Sequence, residues 1–410
     1  MWEQAGIVAV GDEVLTGEVI NTNGAWLAGQ LMAAGSRPSW QAIVPDDEAA
    51  IAEAVRVGLQ HVSLLVLVGG LGPTPDDRTR LGVARGLGLS LAPDSEWAAR
   101  LEARHGGRGE SRIRSIQAQS QRLAGATRLE NQVGTAPGQL VIQGQQAVAL
   151  LPGPPAECRS VAQDLLVHVR AHTGRRVIRH TWRVYDLTES ELAHRLGDLL
   201  TNPDGPRTGL YVRPGVVEWR VEMVDHPQAP ARHDLEALVR EAERRIQVPL
   251  YGDKVSSDPS RLLDALAARG ETVAVAESLT GGLLSQQLTS PPGASAVVVE
   301  GRVVYTEAAK VRLGVPASLM AAKGVVSHEV AVALAEAARA EAGATWGLGL
   351  TGYAGPGGGD AVHPPGTYYV GLAGPRPSVW RQRRSGADRD TVRAAAAETA
   401  RHMLALALAD

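Results

Sequence analysis

Residues Thr272–Gly282 read T-V-A-V-A-E-S-L-T-G-G, a composition that suits a nucleophile. Val273, Ala274 and Val275 read as a buried strand that breaks into a loop carrying Glu277 and Ser278. Thr280, Gly281 and Gly282 then open an apolar helix through Leu288. A serine at such a junction has a hydroxyl and free backbone N–H groups in one place, where an oxyanion or phosphate can be held. The ordinary alternative makes Ser278 and Thr280 helix caps and gives the glycines a packing role. Lys310 answers Ser278. The chain has three lysines (Lys254, Lys310 and Lys323) among 41 basic residues. A lysine is needed where an amine must lose a proton, because a guanidinium stays charged. Ser278 and Lys310 are therefore a candidate nucleophile and base, with Tyr305 as a candidate hydroxyl donor or proton relay. The competing reading of Lys310 is an ordinary solvated helix residue.

Two glycine-rich loops join this pair. Gly349-Leu-Thr-Gly-Tyr-Ala-Gly-Pro-Gly-Gly-Gly-Asp360 follows a strand-like Trp346–Leu350 and has too many glycines for helix or strand. Such a loop approaches a ligand with its backbone and suits a phosphate. Gly69-Gly-Leu-Gly-Pro-Thr-Pro-Asp-Asp-Arg-Thr79 follows an apolar strand, Ser63–Val68. Its Gly69, Gly70 and Gly72 let the backbone wrap an anion. Asp76 and Asp77 are placed to hold a divalent cation on that anion, and Asp12 and Glu13 can join them as hard oxygen ligands. Capping of the next helix by Asp76 or Asp77 is compatible with that role. Arg389 and Arg393, at the start of the last helix, are candidate phosphate contacts or solvated first-turn residues.

The elements that position these residues fall into three stretches. Residues 1–170 alternate strand and helix: strands at Ile7–Val10, Ser63–Val68, Gln139–Ile142 and Ala147–Leu151, helices after Asn21 and at Asp46–Leu59, Arg80–Leu87 and Asp94–Arg104. That alternation predicts a three-layer α/β domain with ligands at the carboxyl ends of its strands. Residues 171–252 read as a small α+β module with a hairpin around Arg213-Pro-Gly, a linker or dimerisation element in which nothing is catalytic by type. Its second strand alternates Val217, Trp219, Val221 and Met223 against Glu218, Arg220 and Glu222. Residues 253–410 form a C-terminal α/β domain with strands at Thr272–Ala276, Ala296–Tyr305, Trp346–Leu350, Thr367–Ala373 and Val379–Arg383. Its Ala-rich helices are Ser327–Ala342 and Asp388–Ala409.

The totals narrow the classes. A net charge of −3 with no basic run offers nucleic acid no evident surface. One cysteine, Cys158, excludes an intrachain disulfide framework and a Cys-rich zinc site. No stretch is apolar for long enough to span a bilayer, and the N-terminus has no signal-peptide pattern, so a soluble cytoplasmic protein is expected. Phenylalanine is absent, and Leu, Val, Ala and eight Trp must fill the cores.

Seven segments, G-D-E-V-L-T-G-E-V-I-N-T-N, G-G-L-G-P-T-P-D-D-R-T, G-T-A-P-G, L-P-G-P-P, A-E-S-L-T-G-G, V-V-Y-T-E-A-A-K and T-G-Y-A-G-P, together resemble the competence/damage-inducible protein A (CinA) family over essentially the whole chain. The resemblance implies an N-terminal molybdopterin-binding-like domain associated with metal-dependent ADP-ribose pyrophosphatase activity, using Mg, Mn or Co. It also implies a C-terminal deamidase that converts nicotinamide mononucleotide to nicotinic acid mononucleotide and ammonia without a cofactor, and a homodimer. Ser278 then matches the deamidase nucleophile, Lys310 its base and Tyr305 a helper. Glu277, Thr280, Gly281, Gly282, Thr351, Gly352, Gly355 and Arg389 match the substrate site. In the first domain Gly69, Gly70, Gly72, Thr74, Thr79 and Asn23 match ligand contacts, and Asp77, Asp76, Asp12 and Glu13 match metal positions. Where the family usually carries an Asn followed by basic residues, this chain reads Ser115-Ile-Gln-Ala-Gln-Ser120. That departure leaves open a first domain that binds a nucleotide or pterin as a sensor without cleaving it. A non-catalytic adaptor in competence or DNA damage is the third reading.

Overall fold

A computed structural model describes residues 1–105, 110–174, 176–201, 206–225, 231–252, 255–386 and 388–409. Lys254, noted above, lies outside them. Contacts divide the chain into two units, Met1–Arg179 with Met223–His233, and His180–Glu222 with Asp234–Asp410. No helix among the described residues is long and apolar enough to cross a membrane.

The first unit contains strands β1 (Gln4–Val10), β2 (Arg37–Val44), β3 (Leu64–Val68), β4 (Leu91–Pro93), β5 (Gln121–Leu123), β6 (Thr127–Leu129), β7 (Gly138–Gln143) and β8 (Gln146–Leu151). Six of them form one sheet in the order β2-β1-β3-β8-β7-β6. The first four run parallel, and β7 and β6 are antiparallel. The side-chain period of two sends Leu64, Val66 and Val68 of β3 into one core and Leu65 and Leu67 into another. Helices Thr22–Ala33 and Pro155–Thr173 cover the first face, Glu48–His61 and Thr79–Leu87 the second. The three-layer α/β expectation therefore holds. Among the elements not anticipated are β2, the short strands β4–β6 and the helices Glu110–Gln119 and Pro155–Thr173. On β2 exposed and half-buried residues alternate, so it carries no apolar run to find. The latter helix begins inside the turn-like Pro152-Gly-Pro-Pro, where a proline at the first position replaces a side-chain cap.

In the central stretch β9 (Arg176–Val184), β10 (Arg207–Arg213) and β11 (Val216–Asp225) form a sheet in the order β10-β11-β9. The alternation read from β11 is real: Val217, Trp219, Val221 and Met223 are buried. Thr188 and Glu191 complete a reciprocal cap on helix Glu189–Leu196.

The C-terminal part of the second unit has strands β12 (Val273–Glu277), β13 (Val298–Val303), β14 (Trp346–Gly352), β15 (Thr367–Ala373) and β16 (Val379–Arg384), ordered β13-β12-β14-β15-β16. β12 lies parallel between β13 and β14, and β15 and β16 are antiparallel. Val273 and Val275 pack toward helices Pro259–Arg269 and Arg389–Ala409, while Ala274 and Ala276 pack toward His328–Ala342. The latter helix lies directly on the sheet. A Cβ at Gly347, Gly349 or Gly371 would stand 2.0, 2.3 or 2.4 Å from the carbonyl oxygens of Ala335, Ala331 and Ala331 respectively. The helix after Ser278 starts later than its sequence suggests, at Leu283. Thr280–Gly282 form a turn instead, with φ of +58° at Gly281 and +94° at Gly282, a backbone that side-chain-bearing residues rarely adopt.

Candidate active site

Strand β12 is buried along its whole length and delivers Ser278 just beyond its carboxyl end. The serine amide is tied to the Leu350 carbonyl at 3.1 Å, so the turn cannot drift from the neighbouring strand β14. Lys310 comes from helix Glu307–Leu313, capped by Thr306. Its Nζ donates to Ser278 Oγ and to the Val304 carbonyl, each at 3.1 Å. Ser278 is 7% exposed and Lys310 3%. Burial holds the Lys310 amine below the usual lysine range, with Glu307 opposing the shift. This is the geometry of a nucleophile beside a base that a third group, the Val304 carbonyl, keeps oriented.

The other expected residues gather in two further contacts. Arg389 donates to the Tyr305 hydroxyl at 2.9 Å and to the Gly355 carbonyl at 2.8 Å. Tyr305 lies beyond the end of β13 and is exposed. Arg393, one helical turn after Arg389, donates to the Thr280 carbonyl at 2.9 Å. Two arginines four residues apart share a helix face, and this face reaches both the serine turn and the glycine-rich loop.

Five expected ligand contacts are engaged within the protein itself. Glu277 is fully buried, and its carboxylate accepts from Gly282 N, Leu284 N, Ser285 N and Ser285 Oγ at 3.1, 3.0, 2.8 and 2.6 Å. It caps the helix Leu283–Thr289 from within the protein rather than facing a ligand. The Gly282 amide is therefore taken, and the Gly281 amide donates to the Ser278 carbonyl at 3.1 Å, so neither is free as an oxyanion donor. Thr351 is buried, with its hydroxyl on the Val325 carbonyl at 2.7 Å. At Gly352 a Cβ would stand 2.6 Å from the Tyr368 Cβ, which makes the glycine a packing requirement.

The first unit holds a cavity of about 450 Å³ lined by Glu13, Asn23, Gly69, Gly70, Gly72, Asp76 and Asp77 of the expected set. It lies over the carboxyl ends of β1, β3 and β8, where open α/β sheets place ligands. Asn23 donates to the Gly153 carbonyl at 2.6 Å and joins two of its walls. Asp77 fastens the glycine loop: one oxygen accepts from Gly72 N at 2.7 Å, the other from Thr74 N at 2.8 Å and from the Thr74 hydroxyl. Thr79 is buried and donates to the Gly69 carbonyl at 2.8 Å. Arg80 lies beneath the loop, bonded to the Leu71 carbonyl, and burial pushes its guanidinium down to about 10. Replacing Thr79 by Val keeps the shape but leaves the Gly69 carbonyl unpaired. The expected loss is about 1–2 kcal/mol, read from the urea transition of the first unit.

Asp46 and Glu157 also line the cavity and escaped the sequence reading, and Gln119 of the Ser115–Ser120 stretch joins them. Asp46 sits beside Asp47, which is the cap of helix Glu48–His61, and the pair reads as one capping signal. Burial raises the Asp46 carboxyl, and Asp12, Glu13 and Asp76 push it the same way. The expected metal positions are not grouped for a resident ion: among the described residues no three His, Cys, Asp or Glu side chains are placed to hold one, and Asp77 accepts three hydrogen bonds from its own loop.

Fold and site together define a protein of α/β units with a buried Ser–Lys pair in one and a glycine-loop cavity in the other. Residues 6–172 match the model of a probable molybdopterin binding domain, 179–252 that of a damage-inducible protein CinA KH domain, and 257–408 that of the CinA C-terminal domain. A CinA-like protein of Anaeromyxobacter sp. (strain Fw109-5) is 40% identical over 98% of this chain and 98% of its own. A putative competence-damage inducible protein of Geobacillus kaustophilus (strain HTA426) is 35% identical over 95% of each. A crystal structure of CinA from Thermoplasma acidophilum, 32% identical, covers 41% of this chain and 98% of that one with a TM-score of 0.39. The chain belongs to the CinA family. Between residues 179 and 252 no two glycines are three apart, so the Gly-x-x-Gly clamp of KH domains is missing from this one.

Proposed function

We propose that the second unit hydrolyses the carboxamide of nicotinamide mononucleotide to nicotinic acid mononucleotide and ammonia. The observation that carries the reading is Lys310 Nζ at 3.1 Å from Ser278 Oγ, with both side chains buried. Ser278 Oγ bonds to the carboxamide carbon as its proton passes to Lys310. The carbon–nitrogen bond then breaks, and the departing nitrogen takes that proton and leaves as ammonia. Water adds to the acyl-serine, and cleavage of the ester releases the carboxylate and restores Ser278. Arg389 and Arg393 supply positive charge for the substrate's phosphate. The test is ammonia release from nicotinamide mononucleotide in EDTA. Wild type should release it, and Ser278→Ala should lose at least about 10³-fold while unfolding at the same temperature. A well-folded wild type that releases none sinks the reading.

For the first unit we infer a nucleotide site of the ADP-ribose kind, supported by glycine loops that wall a cavity at the strand ends. The lining carboxylates repel a bare pyrophosphate. Calorimetric titration of ADP-ribose with and without added Mg, Mn or Co, beside an assay for AMP, separates the outcomes. Binding with cleavage makes the unit a pyrophosphatase, binding alone makes it a sensor, and no binding removes the nucleotide reading. An adaptor without catalysis is disfavoured by the Ser–Lys pair.

A further inference from the structure

The helix Arg389–Ala409 has two working sides. At about 100° per residue, Arg389 and Arg393 lie within about 40° of each other, while Ala395, Glu398 and His402 lie about 180–240° away. The arginine side meets Tyr305, Gly355 and Thr280. The opposite side is covered by three separate pieces of the central module. A Cβ on Gly215, in the β10–β11 turn, would stand 3.2 Å from the Ala395 Cα. The Tyr185 ring stacks on His402 with centroids 3.6 Å apart and planes 13° from parallel, and Tyr251 meets the same imidazole edge-on at 4.6 Å. Burial, with Arg381, Arg383 and Arg183 nearby, pushes that imidazole down to about 3, so it stacks as a neutral ring.

Glu398 is the centre of this contact. It is 8% exposed and stands alone in the run Ala394-Ala-Ala-Ala-Glu-Thr-Ala400. One oxygen accepts from the Tyr185 hydroxyl at 2.9 Å and from Ser257 Oγ at 2.6 Å. The other accepts from Arg401 at 2.5 Å, and Arg401 also donates to the Ser257 carbonyl at 3.1 Å. Alanine contacts leave a helix free to slide or turn slightly. A buried carboxylate with three directional partners has one satisfactory position, which is the best-attested use of buried polar groups. The position is fixed five residues from Arg393, about 7.5 Å along the axis.

We propose that the central module positions the substrate helix through Tyr185 and Glu398, setting where Arg389 and Arg393 meet the substrate's phosphate. This rests on the deamidase reading above. Tyr185 and Glu398 are positioning residues, since the structure gives them no contact with Ser278 or Lys310.

The test uses the full chain with Tyr185→Phe, which keeps the ring on His402 and removes only the hydroxyl, and with Glu398→Gln. KM for nicotinamide mononucleotide should rise about 3–10-fold in Tyr185→Phe, as expected for one hydrogen bond, and further in Glu398→Gln, with kcat unchanged. Ribose 5-phosphate, used as a competitive inhibitor, should weaken in parallel with KM, because the arginines read the phosphate. A residue that only stabilised the fold would lower the unfolding temperature and leave KM and the inhibition constant alone. That outcome, or a fall in kcat with KM unchanged, overturns the proposal. Should Glu398→Gln fail to fold, Tyr185→Phe decides. A wild type that releases no ammonia refutes the deamidase reading instead.

Discussion

Lys310→Met should lose about 10²–10⁴-fold in deamidation at little net cost in stability. Methionine fills the space of the lysine stem in a site that is 3% exposed and brings no charge to bury. Only the free amine can accept the Ser278 proton, so kcat/KM should rise with pH and level off once Lys310 is neutral. Burial places that limb below the ordinary lysine value of about 10.4, and Lys310→Met should abolish it. The stability sign runs the other way. The folded site disfavours the ammonium that the unfolded chain carries freely, so Lys310 lowers stability at every pH below the ordinary value, and the cost fades as pH rises through that window. The Met variant escapes that cost but leaves the Val304 carbonyl without its donor, about 1–2 kcal/mol, so it should melt close to wild type at pH 7. Lys310→Arg should be as inactive as Met, because a guanidinium cannot serve as the base. An acid limb at or above the ordinary lysine value would rule out Lys310 as the base.

Glu277→Ala should be the most destabilising single change at the site, by about 3–5 kcal/mol. It leaves the amides of Gly282, Leu284 and Ser285 and the Ser285 hydroxyl without their acceptor, in a place where Glu277 and Leu284 are both buried. It also removes negative charge from a helix N-terminus. Activity should fall with stability, since the turn that follows carries Ser278. Glu277→Gln retains an acceptor and should cost less, about 1–2 kcal/mol. Thermal unfolding of both variants beside Lys310→Met separates the two roles: one residue sets the chemistry and the other holds its scaffold. An unchanged melting temperature in Glu277→Ala would show that the cap carries no weight.

Much of this site is legible from residue types. Lys310 draws notice because the chain otherwise uses arginine, and Ser278 because a strand ends beside it. What sequence cannot tell is which way a side chain turns at a junction. Glu277 directly precedes Ser278 and reads as part of the ligand face, yet it turns back to bond residues five to eight positions ahead. Asp77 reads as a metal ligand because it follows a glycine-rich loop beside Asp76, whereas its partners are two backbone amides and the Thr74 hydroxyl of that same loop. Contacts across long separations stay hidden for another reason. Arg389 and Tyr305 are 84 residues apart, and only the closing of the last helix against the sheet brings them together. The elements follow the same rule. Strand β3 announces itself because both of its faces are buried, while β2, half-wet on one side, gives no apolar run.

The layer where Gly347, Gly349 and Gly371 meet Ala331 and Ala335 has a bearing on how variation in this chain is interpreted. Backbone touches backbone there, so a single added methyl group has nowhere to go. In a saturation-mutagenesis survey the three glycine positions should be as intolerant as Ser278 and Lys310, although the structure gives them no part in the chemistry. Fitness scores alone would thus outline two patches in the domain, one chemical and one purely steric. Only an assay that counts folded molecules separately from turnover would tell them apart.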